Sequence, residues 1–420
     1  MSEDISYKYT TSWKIRLYPN KNQEDMFRKT IGCCRKIYNE MLSERIDFYE
    51  QNKDNKDVLK THKYRTEKEL KSEFEYLKEV DSIALQQSRR DLESAYKNFF
   101  NSKFGYPKFH KKGQKDSYRT QNVSNNIKVN LDNRKICIPK VGWVSYRDKR
   151  TDIDGKILNL TISMTKTGKF FASIIFEKSI EQPEELDLET AIQEGLRIKG
   201  LDMSLEHFYV DEEGNYPENF RRLYREYEKK IKYLSRQVSK KQKGSNNRKK
   251  AQLKLNKIYE KIANLRKDFI EKLSTELINN NDVIVIETLS LKGMSQALNL
   301  GKSVMDLGYS MFVQRLEDKA KLQGKMVIKA DKWYASSKTC SKCGYVYKDL
   351  KLSEREWACP ECGTHHYRDQ NAGQNLITYG FSILLSMIDT AGLVQSVELV
   401  EMSELSESIK QEAVESLAQR

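Results

Sequence analysis

Residues 336–376 read SSKTCSKCGYVYKDLKLSEREWACPECGTHHYRDQNAGQNL. Within them Cys340, Cys343, Cys359 and Cys362 make the pattern C-x2-C-x15-C-x2-C, and Gly344 and Gly363 directly follow the two pairs. Each pair sets two thiolates on one tight turn, and the glycine lets the backbone fold round so that amides face the sulfurs. Two such turns supply a tetrahedral four-sulfur site that suits one structural Zn(II) and leaves no coordination position open. Four unrelated core cysteines would seldom take both spacings at once. His365 and His366 follow a donor set already complete, so they read as structural or nucleic-acid-facing. Cys33, Cys34 and Cys137 are scattered, and in a reducing compartment they are ordinary thiols, not a disulfide framework.

Working outward, Asp369 follows the cysteine cluster and precedes a final apolar helix expected from about residue 371 to 388. Upstream, IKGLDMSLEHFYVDEEGN reads as two strands closed by a Gly-Asn turn, with Asp202 inside the first. VIVIE, residues 283–287, is a β-branched run that reads as a buried strand ending on Glu287. A helix from about 305 to 323 and a strand in KMVIKAD follow it. One acidic residue in a strand is more often an edge or an ion pair than a ligand. Three in this setting are different, because hydrolysis of a phosphodiester by two metals needs hard oxygen ligands for two divalent cations roughly 4 Å apart. Without a cation such carboxylates repel one another and are costly to bury. Hairpin strands, a basic helical insertion, a strand ending in Glu and a helix bearing Asp is the order of RNase H-like nucleases. Asp202, Glu287 and Asp369 are therefore the candidate catalytic residues and the candidate ligands of two divalent cations.

The basic insertion lies between Phe220 and Lys272, which hold 19 Lys or Arg. Its break at KKQKGSNNRKK predicts two helices joined by an exposed basic turn, with Lys240, Lys241, Arg248 and Lys249 as candidate nucleic-acid contacts. Surface helices are often rich in Lys for solvation alone. The net charge of +14 over 420 residues favours a polyanionic partner.

In the amino-terminal half, YTTSWKIRLYPN reads as a strand over residues 9–18. Helical spacing follows over 22–52 and 81–101, the second opening on the capping residues Asp81 and Ser82. From Gly105 to about residue 179 the period changes to two, which predicts a β-rich unit that the first strand could join. Residues 180–194 are acidic, contain proline and read as a linker. The last 20 residues, poor in large apolar side chains, are expected to be mobile. A chain of 420 residues is too long for one core, so several domains are expected. No window approaches the ~20 apolar residues of a membrane span. The stretch MSEDISYKYT lacks a signal peptide's apolar run, so an intracellular, cytoplasmic protein is expected.

These residues resemble the TnpB family, proteins of bacterial insertion sequences taken as the ancestors of type V CRISPR effectors. The resemblance rests on KIRLYPN with GCCRKIYNEML, VDSIALQQSRRDLESAYKNFF and GYPKFHKK, then on GLDMS, VIVIETLSLKGMS, SSKTCSKCG and WACPECGTHHYRDQNAGQNL. It implies an α+β multidomain chain: a wedge-like β-barrel from 1–20 and 105–180, and a helical recognition module over 21–104. A linker over 181–194 would then lead to an RNase H-like (RuvC) nuclease domain from 195–332 and 365–400. A nucleic-acid-binding zinc ribbon over 333–364 would interrupt that domain, and 401–420 would be a tail. The implied activity is RNA-guided cleavage of double-stranded DNA in transposon maintenance, with two Mg(II) bound by Asp202, Glu287 and Asp369, one protein per guide RNA, associated with the nucleoid when target-bound. Base pairing would read the target, and the protein would hold the heteroduplex and the displaced strand by their backbones. Gln86, Gln87, Arg89 and Arg90 are candidates for reading a target-adjacent motif, since Gln and Arg make bidentate contacts to base edges. Arg368 is a further candidate contact.

Three positions depart from the common family pattern: Thr288 where Asp is frequent, Tyr367 where a second Asp usually precedes Arg-Asp, and Ser204 in place of Gly. None replaces a principal ligand. Alternatives are a CRISPR-adapted effector with array-derived guides and an RNA-guided repressor that does not cut, the latter disfavoured by three intact carboxylates. A transposase in the strict sense is disfavoured because no separate histidine and tyrosine nucleophile constellation is evident.

Overall fold

The computed structural model describes residues 6–150, 152–181, 186–289, 306–351 and 353–390. The expected tail over 401–420 and the end of VIVIETLSLKGMS lie outside these residues. The chain divides into two units, Met1–Gln182 and Pro183–Arg420.

In the first unit, β1 (Ser6–Tyr18) pairs antiparallel along most of its length with β7 (Phe170–Glu181). Trp13, Ile15 and Leu17 alternate inward along it, the period-two pattern of a strand with one covered face. Between them come α1 (Lys21–Asn52), two short helices, α2 (Lys56–Thr61) and α3 (Glu67–Glu73), and α4 (Ser82–Phe100). Then follow β2 (Ser117–Gln121), β3 (Lys128–Asn130), β4 (Lys135–Ile138), β5 (Gly142–Arg147) and β6 (Lys156–Met164). The seven strands form one antiparallel sheet in the order β2-β6-β7-β1-β5-β4-β3. Among the described residues β2 and β3 do not pair, so the expected barrel is a half-barrel with two edges. α1 starts on an Asn20 and Gln23 capping box, and Asp81 caps α4 by accepting from the Ile83 amide (3.0 Å). Cys33 and Cys34 are core residues of α1, and burial pushes the Cys34 thiol up, as suits an inert thiol.

The second unit opens with α5 (Leu188–Gln193), a short helix where a linker was expected, capped by Asp187. Its sheet contains β8 (Ile198–Ser204), β9 (Phe208–Asp211), β10 (Val283–Ile286) and β11 (Met326–Lys329) in the order β11-β10-β8-β9. β9 is antiparallel to β8, while β8, β10 and β11 run parallel. α6 (Leu223–Ser239) and α7 (Asn246–Asn280) are the two basic helices, and α8 (Tyr309–Leu322) and α9 (Arg368–Thr390) complete the sandwich. Ile284 and Ile286 pack with Leu273 and Leu277 of α7 and Phe312 of α8, whereas Val283 and Val285 pack with Leu376 and Leu384 of α9. This is why VIVI is uninterrupted: helices cover both faces, so neither set of side chains can be polar.

α9 lies unusually close to the sheet. A Cβ on Gly200 would fall 2.1 Å from Gly373 O, one on Gly373 would fall 2.7 Å from the Glu212 amide, and one on Gly380 would fall 2.5 Å from Val285 Cγ2. Gly373→Ala is expected to destabilise the protein by about 1–3 kcal/mol through overpacking, although alanine is the better helix former by ~1 kcal/mol. Gly105→Ala, where a Cβ would meet nothing within 4 Å, is the control. Thermal unfolding of the two variants checks this.

Candidate functional site

β8 and β10 are in register at Gly200↔Val285 and Leu201↔Ile286. One step further along these parallel strands, Asp202 and Glu287 stand side by side. Alternation gives them the same face, since Leu201 and Ile286 turn toward α7 and α8 while Gly200 and Val285 turn toward α9. On α9, Asp369, Gly373, Leu376, Gly380 and Leu384 recur at helical spacing, so the first turn brings Asp369 to the same face. The Gly200–Gly373 contact sets how near it comes.

Asp202 is the buried member, 9 % exposed. Desolvation holds its carboxyl well above the usual range, and the charges of Glu287 and Asp369 and a hydrogen bond with Glu287 add to this. Arg368 pulls the other way but does not compensate. Asp202, Glu287 and Asp369 converge from two strands and a helix with Arg355 and Arg368 as the nearby cations, and their hard oxygen donors suit a divalent metal.

Neighbouring residues hold the two outer carboxylates. Ser336 Oγ donates to Glu287 Oε1 (2.6 Å), and Tyr309 OH donates to the Glu287 carbonyl. Asn375 Nδ2 in turn donates to the carbonyls of Ser336 and Thr339, each at 2.7 Å. Asn371 Nδ2 also donates to Thr339 O (2.8 Å), and its Oδ1 accepts from the Ser341 amide (3.0 Å). Arg355 reaches Asp369 Oδ1 at 3.2 Å. None of these five partners was singled out from the sequence. Asn371 and Asn375, one turn apart and following Asp369, carried the only visible signal.

The cysteine cluster forms as the spacing requires. All four ligand atoms lie within 4.8 Å of one another, with Cys340 Sγ 3.7 Å from Cys362 Sγ and Cys343 Sγ 3.6 Å from Cys359 Sγ. Four sulfurs at a Zn–S distance of ~2.3 Å would be about 3.8 Å apart along a tetrahedron's edge, so the cradle fits zinc. Gly344 and Gly363 take φ +76° and +71°, and their amides donate to the Cys340 and Cys359 carbonyls, both at 2.9 Å. Burial pushes the Cys340 thiol up to about 12, while hydrogen bonds with Thr364 pull Cys362 down to about 6. His366, buried against Trp357, places Nε2 3.0 Å from Cys340 Sγ, a partner of the sulfur outside the four-cysteine set. β12 (Glu356–Ala358) and β13 (His365–Tyr367) carry this ribbon directly into α9, which starts at Arg368 and not near 371.

The unusual positions have local explanations. Thr288 Oγ1 donates to Ala330 O (2.6 Å), tying the strand end to β11, and Ser204 Oγ accepts the Glu206 and His207 amides in the β8–β9 turn. Tyr367 is largely exposed and sits edge-on to His365.

The candidate contact residues divide into two groups. Gln87 is buried, 3 % exposed, so its amide does not present itself to a base edge. Arg89 is held by Glu67 (2.8 Å) and Glu93 (2.5 Å), and Arg248 closes the α6–α7 turn by donating to the Val238 and Lys241 carbonyls, both at 2.9 Å. Arg368 is buried beside Asp202 and donates to Lys351 O (3.2 Å). Arg90, Lys240 and Lys249 are exposed, and Gln86 and Lys241 are partly so.

Asp202→Asn is expected to raise the melting temperature in buffer without divalent cations, and the gap should widen as pH rises. The sign follows from the raised folded-state value: the stability it contributes is complete below the ordinary carboxylate range and is lost as pH climbs through that value. Added Mg(II) should stabilise wild type more than the variant, as differential scanning fluorimetry can measure. Elemental analysis is expected to find one zinc per chain, lost in Cys340→Ser/Cys359→Ser.

Three family models match the chain: a helix-turn-helix domain over residues 9–54, a probable transposase of the OrfB type over 180–298, and a Cas12f1-like TNB domain over 309–376. Despite the first label, residues 9–54 here are β1 and the single helix α1. The Escherichia coli K12 protein named "Putative RNA-guided DNA endonuclease InsQ" is 30% identical over 392 residues, covering 90% of this chain and 94% of its own. A Streptomyces pristinaespiralis protein named "Putative RNA-guided DNA endonuclease" is 30% identical over 373 residues, covering 88% and 89%. The mimivirus "TnpB-like protein L79" is 33% identical over 142 residues, covering 32% and 27%. Among solved structures, Cas12f1 in its complex with sgRNA and target DNA superposes with a TM-score of 0.54 at 14% identity, covering 88% of this chain and 98% of that one, a likeness of fold. With such identity to InsQ along nearly its whole length, this chain belongs to the TnpB family.

Proposed function

We propose that the protein is an RNA-guided DNA endonuclease of the TnpB type, and that its second unit is an RNase H-like (RuvC) nuclease domain hydrolysing phosphodiesters with Mg(II). The observation that carries the chemistry is the meeting of Asp202, Glu287 and Asp369, which are far apart in sequence, on one face of a sheet. Two Mg(II) bound there would activate a water and stabilise the leaving oxygen. The protein's own part is to orient the ligands. Asp202, Glu287 and Asp369 would hold the cations, Ser336 fixes the Glu287 oxygen that accepts its hydroxyl, and Arg355 sits beside Asp369 where a phosphate's negative charge would arrive.

The ribbon, holding one Zn(II), follows the nuclease sheet and contributes Arg355, consistent with a role in seating the DNA strand. The guide RNA pairs with the target, and exposed lysines such as Lys240 and Lys249 on the α6–α7 hairpin hold polynucleotide backbones. The relatives' names and the complete carboxylate set favour cutting over a repressor that only binds.

To test this, the protein is purified with its co-expressed RNA, the RNA is sequenced, and a matching DNA duplex is incubated with it and Mg(II). Wild type is expected to cut, and Asp202→Ala, Glu287→Ala and Asp369→Ala to lose at least three orders of magnitude in rate while still retaining RNA. Equal cutting by wild type and Asp202→Ala would refute the assignment.

A further inference from the structure

The segment from Lys97 to Lys115, KNFFNSKFGYPKFHKKGQK, holds six lysines, five aromatic rings and no acidic residue. It runs from the last turn of α4 toward β2, and most of it is exposed. Phe100, Phe104 and Phe109 are 73 %, 71 % and 45 % exposed, and among the described residues they are the phenylalanines that stand exposed. Phe104 and Phe109 stack on no other ring among the described residues. None of the six lysines pairs with a described carboxylate.

The backbone between these rings is nevertheless tied down. Tyr106 OH lies 2.9 Å from Tyr96 OH, and its ring stands edge-on to Phe99 with centroids 5.2 Å apart. At the far end the His110 ring stacks on Tyr38 at 3.8 Å, and Asn39 exchanges two hydrogen bonds with the His110 backbone, at 2.8 and 2.9 Å. Pro107 is buried between them. Tyr106 is itself 43 % exposed, so contacts and not burial fix this frame, while the lysines and unstacked rings are exposed. Exposed rings on a fixed frame, interleaved with unpaired cations, match a strand whose bases stack while its phosphates are neutralised.

We infer that the Lys97–Lys115 segment is a stacking platform for unpaired nucleotides of the protein's own RNA. The choice of RNA rests on the RNA-guided reading: permanently exposed rings call for a resident strand, and a displaced DNA strand is present only while a target is open. Phe104 and Phe109 each take a base face, and Lys103, Lys108 and Lys111 meet the adjoining phosphates.

The test uses the full chain, freed of nucleic acid in high salt, with fluorescein-labelled U12 and dT12 followed by anisotropy. Phe104→Ala/Phe109→Ala and Phe104→Leu/Phe109→Leu are each expected to weaken U12 binding about tenfold or more. Phe104→Trp/Phe109→Trp should restore it, with all melting temperatures close to wild type. Leucine restoring affinity as well as tryptophan would mean a plain apolar surface and overturn the inference, as would an alanine variant that binds U12 normally. Loss confined to dT12 would assign the surface to DNA, and a wild-type dimer that the alanine variant splits would assign it to a second copy. If the co-expressed wild-type protein retains no RNA and cuts nothing, the RNA-guided reading fails, while the U12 comparison still decides the platform.

Discussion

The second unit depends on a backbone contact with no side chain in it. Gly200 of β8 and Gly373 of α9 meet so closely that neither position has room for a methyl group. That contact draws the helix onto the sheet and with it Asp369 toward Asp202, and Gly380 continues the same seam against Val285. Any larger residue there would lift α9 away and separate the third carboxylate from the other two.

Bringing acids together in this way is unfavourable in itself. Asp202 is desolvated and faces two like charges, and Arg368 offsets only part of that. The arrangement persists because packing on both faces of VIVI and along the glycine seam holds it. The four-cysteine ribbon serves the same end from outside: its strand β13 runs straight into the first turn of α9, and Ser336, just before the first cysteine pair, holds Glu287.

Much of this was legible before any coordinates. The cysteine spacing predicted a four-sulfur cradle, and the structure has one of tetrahedral dimensions. The unbroken apolar run at 283–286 predicted a strand buried on both faces, as it is. Long helices at 21–52 and 82–100 and a broken basic pair at 223–239 and 246–280 follow the expected periods. Boundaries moved by a few residues: α5 occupies part of the expected linker, and α9 starts earlier because the ribbon strand feeds it without a loop. The half-barrel could not be distinguished from a barrel, since alternation tells which face of a strand is inward and not whether the outer strands close.

The sequence by itself determined the main elements and the four-cysteine cradle, because periodicity, glycine turns and ligand spacing are local properties of a chain. Only the tertiary structure decided partners. Ser336 meets Glu287 across 49 residues, Arg355 turns to Asp369, and Arg89 and Arg248 are taken up by protein groups instead of standing free. A hydrogen bond or ion pair requires two groups at about 3 Å, and that proximity comes from how α9 and the ribbon close over the sheet. The same pattern of residues in sequence is compatible with many pairings, and packing selects one.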